Sequence, residues 1–176
     1  MAMARMRKGI AYRSFERPNT RISKFRKLSY VRIDPHIKIA RFEMGEPNKK
    51  FEYTLDLVSK NPVQIRQESI ESARQTSARL LEKNLTKSDF FMKIRIYPFH
   101  VLRENPLAAG AGADRMSTGM QRSFGKPIGV AARVRKGQII LSLSVDKNNL
   151  ELARKALRRA ATKVPCSCMI EEALSA

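Results

Sequence analysis

Apolar and polar residues alternate along two early stretches, HIKIARFEM (36–44) and KFEYTLDLVS (50–59), on either side of Gly45, Pro47 and Asn48. A period of two puts alternate side chains on one face, so the pattern predicts two strands joined as a hairpin. The period then lengthens: Ile70, Ala73, Ser77, Leu81 and Leu85 recur at helical spacing, predicting a helix from about Gln67 to Asn84. DFFMKIRIYPF (89–99) returns to alternation and is closed by Pro98, and IGVAARVRKGQIILSLSV (128–145) reads as two strands about a tight turn at Lys136-Gly137. A second helix is expected near NNLE, where Asn148 can cap and Glu151 can reach back. Its apolar stripe is Leu150, Ala153, Leu157, Ala160 and Ala161, with Arg154, Lys155, Arg158, Arg159 and Lys163 facing outward. Pro165 stops it, and VPCSCMI alternates as a last strand with both thiols on one face. The order β-β-α-β-loop-β-β-α-β predicts an α+β fold, a mostly antiparallel sheet covered by two α-helices.

Charge changes this picture at two places. The chain has 176 residues and carries +19. Residues 1–32 hold +9 of that and residues 120–136 hold +5, whereas residues 98–119 carry nothing net. The N-terminal stretch shows no persistent period. Its Arg5, Arg7, Lys8, Arg13, Arg17, Arg21, Lys24, Arg26, Lys27 and Arg32 are interspersed with Tyr12, Phe15, Phe25 and Tyr30. Cations for phosphates mixed with planar side chains for unpaired bases are what single-stranded RNA requires. Residues 1–33 therefore read as a basic RNA-binding extension, and residues 34–176 as a single α+β domain with a mobile loop at about 98–119. Removing 1–32 is expected to cost RNA binding far more than stability. Arg122, Lys126, Arg133, Arg135 and Lys136 form the second basic run and have no acidic neighbour in sequence.

Other chemistry finds little support. No run of 18 apolar residues is long enough to span a membrane, and the start MAMARMRKGIAYRSF lacks a signal-type apolar stretch, so a cytoplasmic protein is expected. The two cysteines supply too few ligands for a structural zinc, and the only histidines, His36 and His100, are far apart in sequence. GAGADR lacks both glycine-rich phosphate-loop patterns. Neither a metal nor another cofactor is expected.

Three stretches together carry a family resemblance: IRIYPFHVLREN, AGADRMSTGM and SFGKPIGVAARV. The pattern A-D-R-x-x-x-G-M followed by F-G-K-P-x-G-x-x-A, from Ala113 to Ala132, closely resembles the large-subunit ribosomal proteins called L sixteen in bacteria and L ten e in archaea and eukaryotes. DPHIKIARFEMG resembles that family's first strand, VQIRQESIESAR its first helix and NNLELARKALRRAATKVP its second; the basic N-terminus and the length resemble the archaeal branch. One departure stands out. Gln121 follows the G-M pair where the family commonly has arginine, which leaves open whether Arg122 or Lys126 takes the phosphate contact.

The resemblance implies a structural constituent of the large ribosomal subunit, not an enzyme, bound to 23S-type rRNA near 5S rRNA and to neighbouring ribosomal proteins. It also implies that the 98–119 loop, with Arg103, Asn105, Gly110, Gly112, Asp114 and Arg115, approaches the acceptor arms of tRNA close to the peptidyl-transferase region. A neutral, small-residue loop suits a partner that must arrive and leave. Within that loop, Glu104 and Asp114 can instead pair with Arg103 and Arg115 across its neck. The competing reading is a free-standing RNA-binding or RNA-modifying enzyme using the loop as a lid, with Asp114 and His100 as its ionisable candidates.

Overall fold

The computed structural model describes residues 7–15, 23–31, 35–105, 107, 110, 112 and 119–174, the last range with backbone only at 121, 122 and 174. Among the described residues, eight strands and two α-helices follow in the order β1 (Glu43–Gly45), β2 (Tyr53–Ser59), β3 (Val63–Arg66), α1 (Gln67–Asn84), β4 (Phe90–Ile94), β5 (His100–Glu104), β6 (Lys126–Val134), β7 (Ile139–Val145), α2 (Leu150–Ala161) and β8 (Cys168–Leu174). The class is α+β, as expected, but the strands divide between two sheets. Five run in the order β1-β4-β7-β2-β8 and three in the order β3-β6-β5, with every pairing antiparallel.

Alternation set the buried faces correctly. Leu55 and Leu57 of β2, Phe90, Met92 and Ile94 of β4, and Leu141, Leu143 and Val145 of β7 are all buried in one cluster. The helices complete that cluster. Ile70, Ala73, Ala78 and Leu81 of α1 meet Ala153, Ala156, Leu157 and Ala160 of α2, where the alanines let the two backbones come close. α2 lies on β2, β7 and β8, whereas α1 reaches β3 and β6, so the helix pair joins the two sheets.

Neither expected hairpin forms. β1 pairs with β4 rather than β2, and the reason is visible at Gly45. This residue has φ +95°, and a Cβ there would lie 1.9 Å from the carbonyl oxygen of Phe90. The glycine therefore serves the close approach of β4, whose Phe90 carbonyl also accepts the Glu46 amide at 3.1 Å. The stretch before β1 makes few strand bonds and satisfies its donors on α1. The Lys38 amide donates to Gln67 Oε1 at 2.9 Å and the Ala40 amide to Glu71 Oε2 at 3.3 Å.

The second turn does form, closed by Gln138 N–H donating to the Arg135 carbonyl at 3.2 Å with Gly137 at φ +77°. Its flanks part, however. β6 enters the three-stranded sheet and β7 the five-stranded one, while Gly137 and Gln138 bond the backbone of Ser59 at the end of β2.

Three smaller expectations are corrected. α2 begins at Leu150 after a 3-10 turn at Lys147–Asn149, and no side chain caps it, so the Asn148–Glu151 capping pair is not made. β3 lies directly before α1, where helix was anticipated from about Gln67 and nothing before it. Finally, residues 100–104 of the supposed loop are strand β5, paired with β6 from His100↔Ala131 to Glu104↔Lys126.

Candidate nucleic-acid interface

Residues 7–15 lie along the three-stranded sheet because one glutamine on β3 takes their backbone. The Gln64 amide donates to the Arg13 carbonyl at 3.2 Å, and Gln64 Nε2 donates to the Tyr12 carbonyl at 3.1 Å. Tyr12 follows these bonds inward. It is 8% exposed and packs with Leu102, Ala131 and Ile128. Its hydroxyl accepts from the Arg7 amide at 2.9 Å and donates to Glu104 Oε2 at 3.4 Å, while the Arg7 guanidinium pairs with Glu104 Oε1 at 2.5 Å. Tyr12 was anticipated to stack on bases. Its ring is instead spent inside the protein, with the Arg66 guanidinium 6.0 Å from its centroid. Val31 likewise buries itself, against Val101 and Val130.

That anchoring leaves the neighbouring cations outward. Lys8, Arg13, Lys24, Arg26 and Lys27 are exposed, as are Lys126 at the start of β6 and Arg135 and Lys136 in the turn after it. Arg133, half-buried on β6, holds its guanidinium 4.2 Å from the Phe15 ring centroid. Arg5, Arg17, Arg21, Arg32, Asp114 and Arg115 lie outside the described residues, and Arg122 is described only as backbone in the turn Gly119–Arg122. Gly110 and Gly112 have positive φ and sit exposed.

Arg13 meets two further cations, Arg66 and Lys163. A hollow of about 240 Å³ is lined by Gly9 and Arg13 of the N-terminal strip, Gln64, Arg66 and Ser69 around the β3–α1 junction, and Thr162 and Lys163 just past α2. Arg66 and Lys163 were not grouped with the N-terminal cations by sequence, since they come from elements about 100 residues apart. On the exposed face of α2, Lys155, Arg158 and Arg159 point to solvent, but Arg154 is engaged with Glu172 of β8 through bonds of 2.6 and 2.8 Å.

At the neck of the 98–119 loop, Glu104 turns to Arg7 and Tyr12, not to Arg103. Arg103 donates to the Phe124 carbonyl at 2.5 Å and lies 3.7 Å from that ring's centroid; burial pushes its pKa below that of an ordinary arginine. Asn105 Nδ2 donates across the neck to the Gly119 carbonyl at 3.1 Å. Gly125 has φ +81°, and any Cβ there would come within 2.9 Å of the Glu104 backbone, so the neck is closed at backbone contact.

One feature was missed by the sequence reading. Tyr97 is 42% and Phe99 74% exposed, their ring centroids 4.5 Å apart, and Phe42 stacks on Tyr97 at 5.4 Å. The signal was available: Ile94, Ile96 and Pro98 are buried, so alternation sends Arg95, Tyr97 and Phe99 outward past the end of β4.

The fold exposes cations along the N-terminal strip, the β6–β7 turn and α2, and holds no cluster of three or more metal-ligating side chains among the described residues. No described helix is long and apolar enough to cross a membrane. The ribosomal protein L16p/L10e family model matches residues 18–171, and the chain belongs to that family. It is 41% identical over 160 residues to the large ribosomal subunit protein uL16 of Thermofilum pendens, covering 91% of this chain and 92% of the relative. The corresponding proteins of Methanococcus maripaludis and Archaeoglobus fulgidus are 39% and 42% identical, covering 94% and 88% of this chain and 92% and 85% of theirs. Membership makes the chain a ribosomal protein, which removes the reading as a free-standing RNA-modifying enzyme.

Proposed function

We propose that the chain is a structural constituent of the large ribosomal subunit that binds 23S-type rRNA near 5S rRNA and helps shape the site for tRNA acceptor arms. The observation that supports this most directly is the hollow where Arg13, Arg66 and Lys163 meet. Three cations from three parts of the chain, with Gln64, Ser69 and Thr162 as hydrogen-bonding neighbours, form a cradle for backbone phosphate. The strip of Arg7, Lys8, Lys24, Arg26 and Lys27, and the run Lys126, Arg133, Arg135 and Lys136, extend the contact along rRNA, with Arg5, Arg17, Arg21, Arg32 and Arg122 as its remaining sequence-assigned members. Tyr97 and Phe99 offer faces to an unpaired base beside exposed Arg41 and Arg95.

The tRNA contact rests on Arg103, Asn105, Gly110, Gly112, Asp114 and Arg115. With one N–H group on Phe124, Arg103 offers its remaining donors to a phosphate.

Filter binding of the full-length chain to a 23S-type rRNA fragment, followed across salt, tests the cradle. Arg13→Ala, Arg66→Ala and Lys163→Ala are each expected to flatten the log–log salt slope by about one unit. Unchanged slopes in all three would remove the cradle from the interface.

A further inference from the structure

Only Cys168 belongs to β8. Cys166 lies in the bend between α2 and that strand. The bend turns both side chains to the same side and brings the two sulfurs to 3.6 Å, with no covalent bond between them. Both residues are half-buried at the edge of the five-stranded sheet, where β8 is the outermost strand. Backbone bonding holds the bend in place, since the Lys60 amide donates to the Ser167 carbonyl at 3.0 Å.

The two sulfurs differ in their surroundings. Ser59 Oγ lies 3.4 Å from Cys166 Sγ, although its single proton has a shorter bond available at the Asn61 carbonyl, 2.7 Å away. The Cys168 thiol faces Cys166 Sγ and the Cys166 carbonyl, both at 3.6 Å. Hydrogen bonding from the Cys168 thiol holds the Cys166 thiol down to about 6, and the same contact together with burial pushes Cys168 well up. A Cys166 thiol held low beside a Cys168 thiol held high matches the division of labour between an attacking and a resolving cysteine. Two sulfurs without a third His, Cys, Asp or Glu among the described residues make no closed metal site.

We propose that Cys166 and Cys168 are a reversible dithiol–disulfide pair, in which Cys166 is the sulfur oxidised by hydrogen peroxide and Cys168 is the one that resolves it. In the first step the Cys166 thiolate attacks one peroxide oxygen. A sulfur–oxygen bond forms, the oxygen–oxygen bond breaks, and the departing hydroxide takes a proton to become water. In the second step Cys168 sulfur attacks Cys166 sulfur. The sulfur–sulfur bond forms, the sulfur–oxygen bond breaks, and hydroxide leaves with the Cys168 proton as a second water. The dithiol gives up two electrons and two protons, and the peroxide is reduced. A ring closed between residues two apart is short, so the product disulfide is readily reduced again.

The test uses the reduced full-length chain, treated with excess hydrogen peroxide and followed by mass spectrometry of the peptide holding both cysteines. That peptide is expected to lose two hydrogens and to regain them with dithiothreitol. In Cys168→Ser, Cys166 stops at the sulfenic acid and is captured by dimedone, while Cys166→Ser reacts about tenfold more slowly. Substoichiometric iodoacetamide on the unsubstituted chain needs no variant to fold, and should alkylate Cys166 about tenfold faster than Cys168. Equal alkylation of the two sulfurs overturns the proposal. So does peroxide treatment that yields only sulfinic acid or crosslinks between chains.

Discussion

Glu71 shows how one carboxylate can position a surface two elements away. Its two oxygens accept from Arg74 Nε at 2.9 Å and a terminal Arg74 nitrogen at 2.6 Å, with Gln75 and the Ala40 amide as further donors. Both side chains are nearly enclosed, at 13% and 11% exposure. The bond to Ala40 fastens the segment that carries Phe42 beneath Tyr97, so the outward aromatic faces rest on this pair. The Arg74 hydrogen bonds hold the Glu71 carboxyl below the usual carboxylate range. A depressed folded value means that the stabilisation is fully present above the unfolded value, about 4.3, and is lost as pH falls through the lower folded one. Glu71→Gln is therefore expected to lower unfolding free energy at pH 7 by roughly 1–3 kcal/mol. Denaturant titrations should show that gap narrowing below about pH 4 as the unsubstituted carboxylate protonates. A gap that stays constant down to pH 2 would detach Glu71 from the acid sensitivity.

Among elements, the N-terminal strip departs furthest from the reading by sequence. Its cations suggested a tail whose loss would spare the domain, yet Tyr12 and Val31 each complete a buried cluster on the small sheet. Tyr12→Ala is expected to cost roughly 3 kcal/mol by opening a cavity and releasing the Gln64-bound strip. The same variant should also weaken rRNA binding, because Arg13 is placed by that docking. Deleting residues 1–32 should accordingly lower the melting temperature and the affinity together. A melting temperature unchanged by the deletion would show that the docking contributes no stability. Helix α1 was legible to the residue because a period of 3.6 sustained over 18 residues is self-contained. Strand partners were not, since a period of two says which face is buried and nothing about which neighbour is paired. Tyr12 was misread for a related reason: the glutamine that buries it lies 52 residues away. Charge counting found most of the candidate cations, but the hollow joining Arg13, Arg66 and Lys163 exists only after three elements have been brought together.

For the molecule as a whole, +19 on 176 residues is a standing repulsion that a polyanion relieves. The structure divides the work. Apolar alternation and the two helices build a core that joins both sheets, while exposed cations line the N-terminal strip, the β6–β7 turn and the end of α2. Few described cations are tied down by carboxylates: ion pairs engage Arg7, Lys38, Lys49, Arg74, Lys93 and Arg154, and the cations of the cradle are not among them. A constituent of a ribonucleoprotein needs that arrangement, because each phosphate contact must displace counterions rather than an internal partner. Sedimentation of the full-length chain with large ribosomal subunits lacking it tests this most directly. The chain is expected to co-migrate with the subunit in one-to-one proportion and to stay there through moderate salt. Recovery of the chain at the top of the gradient, with the subunits sedimenting without it, would show that it is not a constituent of the large subunit.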